Sequence, residues 1–254
     1  MPKIGCELEF FLLQKSLQPA RIDEIEIFIV NFNHLLAKNN ISLFCDITTE
    51  QGASQLEIRT DFTENLELLC SSIEKIKFLI FDLASKQNLT ASFAAQPLLN
   101  DCFNSMQFNI SLHNDLGFNE LKNQEILHKF CQTLLDKTPE ILSILVPNKE
   151  DLKRFNKALN IDLFKRGKYV APTTLSYGID NRTCAIRIAK AKNIDEKRVE
   201  YRVASANANC KESIASILKA TRYFLQKDLV KNDERFIYGN AFSYSGAVAK
   251  PNFL

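Results

Sequence analysis

Four short stretches of this 254-residue chain place charged or amide side chains at every second position. They are Glu7/Glu9, Gln55/Glu57/Arg59, Gln107/Asn109/Ser111 and Arg198/Glu200/Arg202, with apolar residues between them. Side chains two apart share one face of a β-strand, about 7 Å from each other, and their neighbours point the other way. Each stretch therefore predicts a strand with one apolar face and one polar face. Two readings stay open. The polar faces form a solvated outer surface with cross-strand ion pairs, or they line one concave cleft. The first stretch poses the question most sharply. Glu7 and Glu9 repel unless a cation or an arginine pair lies between them. They are either a solvated pair on an edge strand or half of a divalent metal site.

Between these strands, apolar spacing of three and four predicts helices. One covers 22–38 through Ile22, Ile25, Ile29, Phe32 and Leu36, closed by Asn39-Asn40. A second starts with Asp61 or Thr63 as its cap and runs through Leu66, Leu69, Ile73, Ile76, Ile80 and Leu83. A third spans about 119–145 and is expected to break or kink at Pro139. A last one begins about Lys211. Further strands are expected at 41–47, 89–96, 183–188 and 198–203, and a basic loop over 147–175. Strands and helices alternate without a regular βαβ rhythm. The expected class is α+β, a curved and mostly antiparallel sheet forming a polar cleft with long helices on its outer face. Residues 1–254 are expected to form a single domain.

A formal net charge of +2 argues against strong capture of nucleic acid or anionic membrane. No apolar run reaches the roughly 18 residues that a membrane span needs, and the N-terminus lacks the pattern of a signal peptide. The seven Cys are scattered without a CxxC pair, and His34, His113 and His128 stand far apart. That usage fits reduced thiols in a cytoplasm rather than a disulfide scaffold or a zinc site.

Clustered carboxylates with few His favour Mg²⁺ or Mn²⁺. Arginines beside such cations suit phosphate, because both neutralise the charge of a transferring phosphoryl group. The chain has neither a GxxxxGK[ST] loop nor a GxGxxG turn, so a nucleotide would be held by side chains and cations.

Five segments, in order, resemble the catalytic domain of glutamine synthetases. Gly5-Cys6-Glu7-Leu8-Glu9-Phe10-Phe11-Leu12 is similar to that family's GPExEFFLF strand. Residues 50–57 (EQGASQLE) resemble its E-x₃-GQxE segment, and 104–112 (NSMQFNISL) its GSGMHxHxSL segment. Residues 181–188 (NRTCAIRI) resemble NRSAxIRIP, and 198–202 (RVEYR) resemble RIExR. The resemblance implies ATP-dependent ligation, in which a glutamate γ-carboxylate attacks ATP and an amine displaces phosphate from γ-glutamyl phosphate. It implies two Mg²⁺ or Mn²⁺ ions, the first on Glu9, Glu50 and Glu57, the second on Glu7, Glu200 and Gln107. Arg182 and Arg202 would contact the phosphoryl group and the glutamate. Arg154 would hold a glutamate carboxylate. Arg187 and Arg198 would lie near the ATP phosphates, with Ser111 and Asn109 along the nucleotide pocket.

The chain departs from the family pattern at several positions. Gln107 and Asn109 stand where the family has His, and Asn104-Ser105 where it has Gly. Val170 stands where a loop glutamate accepts the ammonium proton, and valine cannot accept one. The metal strand begins at residue 5, so the family's N-terminal β-grasp domain is expected to be absent. The expected partners are glutamate or a related carboxylate and an amine. A homo-oligomer or a chain supplying the missing domain could complete the site, and neither nucleic acid nor membrane is expected. The alternative is a non-catalytic module that binds nucleotide or metal and acts by association.

Overall fold

The computed structural model describes residues 1–39, 41 and 43–249. Its central strand is β1 (Pro2–Gln14), which pairs with β3 (Gln55–Thr60), β4 (Leu89–Ser92) and β5 (Met106–Leu112). One face of β1 carries Ile4, Cys6, Leu8, Phe10 and Leu12, all at most 1% exposed. A Leu, Ile or Phe buried this fully contributes roughly 1.5–3 kcal/mol, so this face fixes the register. Phe10 sits 6.1 Å from Phe28 and 5.5 Å from Phe93, ring centre to ring centre.

Outward from β3 lies β2 (Phe44–Thr49). Outward from β5 lie β8 (Val199–Tyr201), β7 (Ile186–Ile188) and β6 (Tyr177–Ile179). Among the described residues the sheet has eight strands, antiparallel except for the β6–β7 pair. The expected strand over 41–47 includes position 42, which lies outside the described residues; β2 begins at Phe44. Asn40, the second residue of the expected helix stop, lies outside them too.

The helices are α1 (Ile22–Lys38), α2 (Leu66–Lys86), α3 (Gln124–Leu145), α4 (Lys157–Lys165) and α5 (Cys210–Thr221). One apolar cluster joins the inner face of the sheet to α1, α2, α3 and α5. On α1 the buried stripe is Ile25, Phe28, Phe32 and Leu36, whereas Ile22 is exposed. The first helical residue has no turn above it to pack under, so its apolarity carries no facing information.

Four expectations are corrected. α2 is capped by Asn65, whose side chain accepts from Leu68 N at 3.0 Å, and not by Asp61 or Thr63. Thr63 is held back by a backbone bridge to Ile4, which keeps the chain extended until Asn65. α3 runs unbroken through Pro139. Its face of Leu134, Leu135, Thr138, Ile141 and Leu145 is buried, and the Thr138 hydroxyl donates to Leu134 O at 2.7 Å. The 147–175 stretch is not all loop. It holds a 3₁₀ turn (Lys149–Phe155) and α4, which is capped by Asn156, whose side chain accepts from Leu159 N at 3.0 Å. The strand expected at 89–96 is shorter, ending at Ser92. No helix among the described residues is long and apolar enough to cross a membrane.

Candidate active site

Strand register brings the four polar stretches together on the face opposite the helices. Glu9 faces Glu57 across β1–β3, and Glu7 faces Arg59. Glu7 also faces Gln107 on β5. Asn109 faces Glu200 on β8, and Glu200 faces Arg187 on β7. Period-two alternation in each strand thus becomes a single polar surface crossing five strands.

The side chains form a connected network. Ser105 donates to Glu9 Oε2 twice, through its amide and its hydroxyl, each at 2.7 Å. Gln107 Nε2 donates to Glu9 Oε1 at 3.0 Å and to the Ser105 hydroxyl at 2.9 Å. That leaves Gln107 Oε1 to accept from Arg202 Nη1 at 2.7 Å. The same Arg202 nitrogen donates to Glu200 Oε1, while Arg187 Nη1 donates to Glu200 Oε2. Asn109 donates to Glu7 at 2.9 Å and accepts from Arg198 Nε at 3.1 Å. Arg187 is held from behind by Asp180, at 2.6 and 2.9 Å.

The carboxylates divide into two electrostatic classes. Burial, opposed by the Ser105 donors and reinforced by Glu50, pushes the Glu9 carboxyl up to about 7. Burial, then repulsion from Glu7, Glu9 and Glu50, pushes Glu57 up to about 9. Its ion contact is Arg59 Nε at 3.7 Å, and Arg59 is shared with Asp46 at 2.5 Å. Glu7 is also raised, by burial and then by Glu200. Glu200 is lowered: burial pushes it up, but Arg202 and Arg187 together outweigh that. Among the described residues no three His, Cys, Asp or Glu side chains converge into a ready-made metal cage.

The arginines differ in how free they are. Arg154 is 2% exposed and gives its guanidinium to the carbonyls of Val203, Ala204 and Arg202 at 2.5, 3.0 and 3.2 Å. It borders a small enclosed space of about 20 Å³ together with Glu9, Glu50, Gln107 and Arg202. Arg182 lies 4.3 Å over the Tyr169 ring and makes no ion pair among the described residues. Ser111 bonds to His113 Nε2 at 3.1 Å, at the far end of the same face from Glu9.

A strap over residues 168–171 crosses the site. Lys168 Nζ donates to Gln51 O, Tyr169 N donates to Gln51 Oε1, and Val170 O accepts from Arg202 Nη2 at 3.2 Å. Val170 itself is buried with Phe103, Leu163, Ala171 and Phe242. Behind the strap opens a pocket of about 410 Å³ bordered by Phe164, Tyr169, Arg182 and Tyr238. Gln51, Tyr169 and Asp180 were not singled out in the sequence. Their roles come from contacts across more than a hundred residues, or, for Asp180, from a turn that no periodicity marks.

Residues 16–235 match the family described as "Glutamine synthetase, catalytic domain". Among curated relatives, gamma-glutamylputrescine synthetase PuuA of Escherichia coli is 29% identical over 273 residues, covering 96% of this chain and 55% of the relative. Glutamate–isopropylamine ligase of a Pseudomonas species is 27% identical over 210 residues, covering 80% and 43%. A solved structure of GmaS without ligand superposes with a TM-score of 0.77 at 20% identity, covering 97% of this chain and 59% of that one. Glutamine synthetase of Plasmodium falciparum superposes with a TM-score of 0.72 at 19% identity, covering 89% and 52%. The chain spans about half the length of the curated relatives it matches. With the matched segment covering most of its residues and the sheet repeating the fold, this chain belongs to the glutamine synthetase catalytic-domain family.

Proposed function

We propose that this chain is the catalytic part of an ATP-dependent ligase that joins a glutamate-like carboxylate to a substituted amine. The observation that carries the reading is the single polar face on which buried carboxyl groups short of cationic partners lie beside four arginines. Glu9 and Glu57 fit a hard divalent cation by their chemistry: they are buried oxygen donors, raised well above their ordinary range, with Arg59 at 3.7 Å from Glu57. Bound there, Mg²⁺ or Mn²⁺ would neutralise phosphate oxygens of ATP. Arg198, Asn109 and Ser111 would lie toward the nucleotide. Arg187, fixed by Asp180, and Arg182, which makes no ion pair among the described residues, would face the transferring phosphoryl group. Arg202 would hold the acid substrate between Gln107 and the strap, and Arg154 would brace the strand end beneath it.

A substituted amine is favoured over ammonia by two features of the strap. Val170 presents a carbonyl to Arg202 and a buried side chain to the core, so no carboxylate stands there to receive a proton. The 410 Å³ pocket behind it is far larger than ammonia needs and is bordered by aromatic rings. The names of gamma-glutamylputrescine synthetase and glutamate–isopropylamine ligase carry an alkyl amine, while other curated relatives are named glutamine synthetase.

The test is ADP release with glutamate, Mg²⁺ and a panel of ammonium, methylamine, isopropylamine and putrescine. Turnover with one or more substituted amines exceeding that with ammonium is the expected result. Folded protein that binds ATP–Mg²⁺ in a calorimeter yet releases no ADP with any of them would sink the ligase and support the non-catalytic alternative.

A further inference from the structure

The two carboxylate sets that the family pattern assigns to two metals are not equivalent in this chain. In the set of Glu7, Glu200 and Gln107, both Glu200 oxygens, the Gln107 amide and one Glu7 oxygen are already engaged. Both Glu200 oxygens accept from guanidinium groups, Arg202 on one and Arg187 on the other. Gln107 cannot turn its oxygen elsewhere without cost, because its amide nitrogen is committed to Glu9 and Ser105. Glu7 accepts from Asn109. Both arginines pair with Glu200, Arg187 from the neighbouring strand β7 and Arg202 from just beyond β8, so this set holds as many guanidinium groups as carboxylates.

A dication entering this set would displace charge-assisted hydrogen bonds and then sit beside two guanidinium groups at Coulombic cost. In the other set both Glu9 oxygens also accept, but from the neutral donors Ser105 and Gln107, and Glu9 makes no ion pair among the described residues. Glu57 is 7% exposed and accepts no hydrogen bond among the described residues. Glu50 accepts from the adjacent Gln51 amide at 3.3 Å. Of Glu9, Glu50 and Glu57, among the described residues Glu57 alone is in ion contact with an arginine, and that arginine, Arg59, divides its charge with Asp46.

We infer that this chain holds one hard divalent cation, at Glu9/Glu57, and that Arg187 and Arg202 take the electrostatic place of a second. The residues of the second set do not fit a metal. The inference rests on the ligase reading for the first cation, and its test separates the two.

Mn²⁺ uptake is counted by electron paramagnetic resonance of the unbound ion and by calorimetry at neutral pH. Far-UV circular dichroism confirms that each variant is folded. The expected count is one Mn²⁺ per wild-type chain. Glu57→Gln should weaken binding by about tenfold or more, whereas Glu200→Gln keeps the count at one with affinity within about threefold. Glu7→Gln is the second variant and should behave as Glu200→Gln. Two Mn²⁺ per wild-type chain would overturn the inference and leave the ligase reading standing. So would a loss in Glu200→Gln or Glu7→Gln as large as in Glu57→Gln. No uptake by folded wild type would overturn both the inference and the cation part of the ligase reading. Silence of the amine panel with one Mn²⁺ bound would sink only the ligase.

Discussion

Glu57→Gln should stabilise the metal-free protein at neutral pH, although it alters a residue of the site. The Glu57 carboxyl is pushed up from an ordinary 4.5 to about 9, first by burial and then by Glu7, Glu9 and Glu50. At pH 7 it therefore stays protonated in the folded chain, while in the unfolded chain it ionises. The cost to folding depends on how far the pH lies above the unfolded value: about 1.4 kcal/mol for each of 2.5 units, or roughly 3 kcal/mol at pH 7. The sign follows from the raised value. Stability from this group is fully present below pH 4.5 and is lost as the pH rises through the folded value near 9. Glutamine has no proton to lose and keeps the shape. Denaturant melts of metal-free wild type and variant should coincide near pH 4.5. The gap should then open in favour of the variant, reaching roughly 3 kcal/mol at pH 7, worth about 2–4 °C in Tm per kcal/mol for a chain of this size. Excess Mn²⁺ should reverse the order, because only wild type gains from it. A variant less stable than wild type at pH 7 without metal, or a gap that does not change with pH, would refute the reasoning.

Three more perturbations probe the scaffold. Val170→Glu puts a carboxylate into the cluster of Phe103, Leu163, Ala171 and Phe242; it should cost about 3 kcal/mol or more in denaturant melts and confer no ammonia-dependent ADP release. Gly52→Ala would place a Cβ 2.6 Å from the ring of Phe11, which is fully buried and cannot yield, so thermal melts should show a loss of about 1–3 kcal/mol and the loop carrying Glu50 should become more protease-sensitive. Arg154→Met removes the guanidinium donor from the buried carbonyls of residues 202–204, of which Ala204 O keeps the Met106 amide, and should cost about 3 kcal/mol in chemical denaturation, with a fall in Mn²⁺ affinity smaller than that of Glu57→Gln.

Much of the fold was legible because long elements repeat their pattern often enough to be read. Residues 22–38 show four helical turns, and α1 occupies that range. The polar alternation put Glu7 with Glu9, Gln107 with Asn109, and Glu200 with Arg202 on one face of their own strands, and the register of β1, β3, β5 and β8 joins those faces. Short elements were not legible. Three-residue β6 has no period to detect, and α4 buries only Asn160 and Leu163 within a run of lysines and arginines. The cap of α2 was misplaced because Asp61, Thr63 and Asn65 are all good caps, and a tertiary bridge from Thr63 to Ile4 decides among them. The partnering of Arg202 with Gln107 and Glu200 joins residues 95 apart and two apart; local sequence offers the second and hides the first.

The pairing of β1 also sets the order in which the chain can fold. β1 is synthesised before any of its partners. Its register with β3 closes a loop of about 50 residues, and its register with β5 one of about 100, judged from Glu9↔Glu57 and Glu7↔Gln107. The β5–β8 pair then closes another 91 residues, from Asn109 to Glu200. Such distant pairings make folding slow, in the millisecond-to-second range, because chain entropy is lost before the contacts form. During that interval the inner face of β1, with Ile4, Leu8, Phe10 and Leu12, is an open apolar edge seeking a strand. The two glutamates on its other face then act as gatekeepers, since stacking β1 on a second unfolded copy would bring four carboxylates together without a cation.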